Sequence, residues 1–163
     1  MSDTNHAVNS VLEMDEDEIR QRVNLLKRFR SMLEVQRDRF RDYLNVLEVQ
    51  EQAIVEGDAR AIEAQAGMEQ QIVREILSVQ KVIKPLEGMY GRMYPGKKPE
   101  ITRLQSSLQQ LQSQVLERNR MNRELLARQR DELKEKIQSL RIPKGRKSVY
   151  AGNQTPSMVD LSA

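Results

Sequence analysis

Every seventh residue from Leu12 to Ile54 is apolar: Leu12, Ile19, Leu26, Leu33, Phe40, Leu47 and Ile54 form one unbroken series. In a chain that is 38% hydrophobic, such a series arises by chance in a given register with a frequency of roughly 0.001, so the spacing is structural. Seven residues are close to two turns of α-helix, which places these side chains on one stripe. Val23, Phe29, Tyr43 and Leu44 lie between them and widen it. A stripe this long has to be buried against other helices. The first third of the chain therefore reads as one helix ending at Glu56, up to ~67 Å long. Ser10 and Glu13 stand at capping-box spacing, and the acidic run Asp15–Glu16–Asp17–Glu18 suits a helix N-terminus equally well, so the start lies near one or the other.

Gly57–Asp58 interrupts the pattern. Glycine takes the left-handed conformation that closes a helix, and aspartate caps the next one through its carboxylate. A break this short forces an antiparallel hairpin. The second helix starts at Ala59, with the seam Ile62, Ala66, Ile72, Ile76, Val79, Ile83, Leu86, Tyr90 and Met93. Ala61, Ala66 and Gly67 are small enough to admit a close neighbour at its start. Pro85 lacks a backbone donor and either kinks or ends this helix. Gly88, Gly91, Pro95, Gly96 and Pro99 follow, and the stretch from Pro85 to Pro99 reads as the principal connection or a hinge. Pro99 suits the first position of a third helix. Its stripe runs Ile101, Leu104, Leu108, Leu111 and Val115, then Asn122, Leu125, Leu126, Leu133, Ile137 and Leu140. Arg118 and Asn122 interrupt the heptad positions, so this second half either leaves the bundle or packs more loosely. The expected fold is all-α: an elongated antiparallel three-helix bundle over 12–140, with a disordered N-terminus over 1–11 and a flexible tail over 141–163.

Composition narrows the function classes. Aromatics make up 4% of the chain and tryptophan is absent, which suits a bundle with narrow seams better than a thick-cored globule. No apolar run approaches the ~20 residues of a membrane span, and the N-terminus has no secretory pattern. The chain has no cysteine, which removes disulfides, thiolate nucleophiles and the common structural zinc sites. The single histidine, His6, lies in a polar N-terminal segment. With nothing to pair a nucleophile with a base, the chain reads as no enzyme, with no cofactor and no metal. Its charges, 27 basic and 24 acidic, are interleaved as on solvated helix faces. The short basic run Arg141, Lys144, Arg146 and Lys147 is the one feature that suits nucleic acid, and no nucleic-acid partner is expected. Met32, Met68, Met89, Met93 and Met121 read as flexible core fillers ahead of an adaptable binding surface.

Several features fall in a definite order. Glu51, Ala53 and Ile54 precede the Gly57–Asp58 turn, and Ile62, Ile72 and Leu77 follow it. Asn119, Asn122, Leu125 and Leu126 mark the last helix. Tyr150, Ala151 and Gly152 stand in the tail, which closes on Val159, Leu161 and Ala163. In this order they resemble the FlgN family of flagellar export chaperones, although Ala151 follows Tyr150 where the family usually has glycine. The resemblance implies a small helical cytoplasmic chaperone that holds hook–filament junction subunits before export through the flagellar type III apparatus. It implies recognition of the client's C-terminal, helix-forming part. It also implies docking on the export apparatus, in which a tail tyrosine, here Tyr150, takes part.

An apolar client helix can lie in a groove between chaperone helices. The candidate residues are Asn122, Leu125, Leu126, Leu133, Ile137 and Leu140, an apolar stripe with charged flanks. Truncation after about Leu116 is expected to abolish client binding and leave the hairpin folded. The alternative is that the same leucines complete the three-helix core. The rival function is a homo-oligomeric coiled-coil structural or adaptor protein without a secretion client, so self-association stays open.

Overall fold

The computed structural model describes residues 15–140. It is all-α, with three helices and no strand among the described residues: α1 (Glu16–Glu56), α2 (Ala59–Met93) and α3 (Pro99–Leu140). Residues 15–127 form one unit, and residues 128–140 belong to a second.

The helix ends obey local rules. Asp15 precedes α1 but makes no side-chain capping bond, so Glu16, Asp17 and Glu18 act on the helix dipole by charge alone. Gly57 closes α1 in the left-handed conformation at φ 70°, and its N–H donates to the Ile54 carbonyl at 3.1 Å. The Asp58 N–H donates to Ala53 O at 3.0 Å, and the Asp58 carboxylate then accepts from Ala61 N at 3.1 Å to start α2. Ser10, Glu13 and Leu12 lie outside the described residues.

Of the two alternatives at Pro85, the ending of the helix does not occur. α2 runs through Pro85, Gly88 and Gly91 to Met93, and the connection shrinks to Tyr94–Lys98. An interior proline costs a helix about 3 kcal/mol. Burying Ile83, Leu86 and Tyr90 on the opposite face is worth about 1.5–3 kcal/mol per side chain and outweighs it. Pro85 itself faces solvent. At Gly67 there is no close approach, because a Cβ built there meets nothing within 4 Å.

Within the first unit the pairings fix the topology. Arg22 reaches Met93 O, Gln36 reaches Ile76 O and Tyr43 reaches Glu69, so α1 and α2 are antiparallel. Arg30 pairs with Glu100, while Asn119 reaches Tyr43 and Asn122 reaches Leu47 O, so α3 runs parallel to α1. Two apolar clusters form the core. One gathers Phe29, Leu33, Ile83, Leu86, Tyr90, Ile101 and Leu104. The other holds Tyr43, Leu47, Ile76 and Val115. Tyr90 closes the first: its ring centroid lies 5.0 Å from Phe29, and its hydroxyl accepts from Lys98 N at 2.6 Å. Of the heptad series, Leu33, Leu47 and Ile54 are buried, Leu26 and Phe40 are half-buried, and Ile19 is 44% exposed. Met68, Met89 and Met121 are exposed, so the filler role suits only the half-buried Met32 and Met93.

Candidate partner-binding site

Three residues after each member of the heptad series from Ile19 to Leu47 stands a second series, Arg22, Phe29, Gln36, Tyr43 and Gln50. In a helix this is the companion core position, so two glutamines and a tyrosine are carried into the bundle. They meet polar partners from both other helices. The Tyr43 hydroxyl donates to Glu69 Oε1 at 2.6 Å. Asn119 Nδ2 lies 3.0 Å from the same carboxylate oxygen and 3.1 Å from the Tyr43 hydroxyl. Gln50 Nε2 reaches Glu69 Oε2 at 3.5 Å. Asn122, buried, donates to Leu47 O at 2.8 Å and to Gln50 Oε1 at 3.1 Å. Arg118 is part of this closure, reaching Glu51 at 2.7 Å and Glu48 at 3.7 Å. Arg118 and Asn122 therefore bind the third helix to the first instead of marking where it loosens.

The layer is polar without being reactive. Burial, reinforced by the Glu69 carboxylate that accepts its proton, pushes the Tyr43 phenol well above its ordinary value. A phenol so shifted is a poor proton donor near neutral pH. Its chemistry is register: hydrogen bonds from α1, α2 and α3 meet at one level, which penalises sliding of any helix. Asn122 Oδ1 and Gln36 Oε1 are buried without a hydrogen-bond partner among the described residues, a cost to stability set against that specificity.

The predicted client-binding residues divide into two groups. Asn122 and Leu126 line a cleft of about 160 Å³ with Gln50, Ile54, Glu69, Asn119 and Arg123, and Leu125 is half-buried in the same unit. Here Asn122 is a core residue, and truncation after Leu116 would remove part of the polar layer itself. Leu133, Ile137 and Leu140 belong to the second unit, at 58%, 53% and 79% exposure. Their spacing of four and three residues puts them on one stripe of α3. Every residue from Asp131 to Leu140 is exposed. Tyr150 lies outside the described residues. Among those described, no group of three or more His, Cys, Asp or Glu side chains could hold a metal, and no helix is long and apolar enough to cross a membrane.

Sequence reading missed Gln36, Gln50 and Glu69. The signal for the two glutamines was present in their heptad spacing but was masked by their polarity. Glu69 carries no such signal, because only the pairing of α2 with α1 brings it to Tyr43.

The chain is 31% identical over 149 residues to an "uncharacterized protein" of Treponema pallidum (strain Nichols), an alignment spanning 91% of this chain and 96% of that protein. No protein-family model matches the chain, and no solved structure matches it at a significant level. The chain belongs to one family with the Treponema protein.

Proposed function

We propose that this chain, with the family it shares with the Treponema pallidum protein, works as a cytoplasmic export chaperone of the FlgN kind. In this reading it holds the C-terminal helical segment of a hook–filament junction subunit before flagellar type III secretion. The observation that carries the reading is the exposed stripe Leu133, Ile137 and Leu140 on a helix that earlier buries Ile101, Leu104 and Val115. Fully burying one such side chain against a client helix is worth about 1.5–3 kcal/mol. Three of them supply the modest, reversible affinity that a holding step needs. Tyr150 is assigned to the later step of docking on the export apparatus.

The test is co-purification from a flagellated host, with mass spectrometry of what stays bound, followed by calorimetric titration of the purified junction subunit. Recovery of that subunit and its direct binding would support the reading, and no binding of purified junction subunits would sink it. Tyr150→Asp is expected to spare client binding and reduce export. The heptad spacing of the same stripe favours a second reading, a homo-oligomeric coiled-coil adaptor. That reading requires a concentration-dependent mass by light scattering.

A further inference from the structure

Charge in the second unit is sorted by helix face. Placed in the heptad frame that a docking helix would read, Leu133 and Leu140 take position d, and Ile137 and Arg130 take position a. Lys134 and Lys136 fall at e and g, on either side of the seam. The carboxylates Asp131, Glu132 and Glu135 take b, c and f, on the outward face. The seam and its flanks thus carry three cations and no carboxylate. Arg130 contacts Asp131 at 3.4 Å, with both side chains about two-thirds exposed. Neither Lys134 nor Lys136 is in an ion pair among the described residues, and both are exposed.

We infer that the partner of this stripe is an amphipathic helix whose own apolar seam is flanked by aspartate or glutamate. The inference rests on the docking role proposed above and adds the chemistry of the occupant. Flanking e and g charges select coiled-coil partners because opposite charges attract along the rim and like charges repel. A second copy of this chain is the disfavoured occupant. In an antiparallel pairing, where e faces e and g faces g, its Lys134 and Lys136 would meet the same lysines across the seam, and a parallel pairing offers them no carboxylate of the described residues, so charge acts against self-pairing. An acidic-flanked helix meets Lys134, Lys136 and Arg130 with complementary charge and covers Leu133, Ile137 and Leu140.

Two synthetic helical peptides test this, with the same Leu/Ile seam and either glutamate or lysine at every e and g position. Each repels itself and stays monomeric. Both are titrated into the full-length protein by fluorescence anisotropy. At about 50 mM salt the glutamate peptide is expected to bind about tenfold or more tighter, and at about 500 mM most of that advantage is expected to vanish through screening. Lys134→Glu/Lys136→Glu should reverse the preference. Leu133→Asp/Ile137→Asp should remove binding of both peptides with an unchanged circular dichroism spectrum, because these side chains are exposed. Equal affinities, tighter binding of the lysine peptide, or a preference untouched by the lysine reversal would overturn the inference. If Leu133→Asp/Ile137→Asp still removes binding in that case, the docking role stands and only the acidic partner falls. A stable dimer dispersed by the same double variant would assign the seam to a second copy and overturn the inference. If neither peptide binds and no dimer forms, the docking role and the inference fall together.

Discussion

Up to Ala127, α3 buries Ile101, Leu104, Val115 and Asn122, whereas from Arg128 onward it leaves Leu133, Ile137 and Leu140 exposed. Both stretches have the same apolar spacing. What differs is the company: the first has α1 and α2 contributing Phe29, Leu47 and Ile76 to common clusters, and the second has no buried residue of its own. A periodic stripe thus specifies that a helix can be covered without specifying what covers it. That comparison separates the residues that hold the fold from those available to a partner.

The comparison breaks most readily by mutation of matched pairs. Phe29→Ala and Leu47→Ala, at sites with no exposure, are expected to cost about 3–5 and about 2–5 kcal/mol in urea unfolding. Leu133→Ala or Ile137→Ala should stay within about 0.5 kcal/mol of the parent. Comparable losses at the two sets would mean that the exposed stripe is part of the core. Tyr43→Phe removes the donor to Glu69 and the acceptor for Asn119, and is expected to cost about 1–2 kcal/mol. It should also flatten the alkaline limb of stability. The folded chain keeps this phenol neutral to a higher pH than the unfolded chain does. Its stabilisation is therefore complete below the unfolded value of about 10 and is lost as pH rises through the folded one. Thermal melts between about pH 9 and 11 should fall less steeply for the variant than for the parent.

Smaller effects sharpen the picture. Gln36→Met removes a buried carbonyl oxygen without a partner at the cost of one long bond of 3.4 Å to Ile76 O, and should gain about 1 kcal/mol in the same unfolding assay. Gly88→Ala should gain about 0.5–1 kcal/mol, because the added methyl meets nothing within 4 Å and the helix loses a flexible residue. A loss at either position would show contacts beyond those described.

Much of the fold was legible from spacing and punctuation. The Gly57–Asp58 turn, the start at Ala59 and the start at Pro99 each rest on a local conformational rule and coincide with the observed helix bounds. Pro85, Gly88 and Gly91 do not end the helix as one of the two readings had it, because helix propensity is local while the burial of Ile83, Leu86 and Tyr90 is not. The candidate site was legible in part. Leu133, Ile137 and Leu140 announced an apolar stripe, but no periodicity tells whether a stripe meets its own chain or another. Asn122 looked like an interruption, and its two hydrogen bonds make it a register pin.

Hydrogen–deuterium exchange of the full-length chain, alone and with a purified hook–filament junction subunit, tests most directly whether the stripe receives a partner. The account predicts new protection over residues 128–140 in the complex, with the already buried positions around Leu47 and Ile101 unchanged. Protection confined to the first unit, or none anywhere at saturating client, would contradict it.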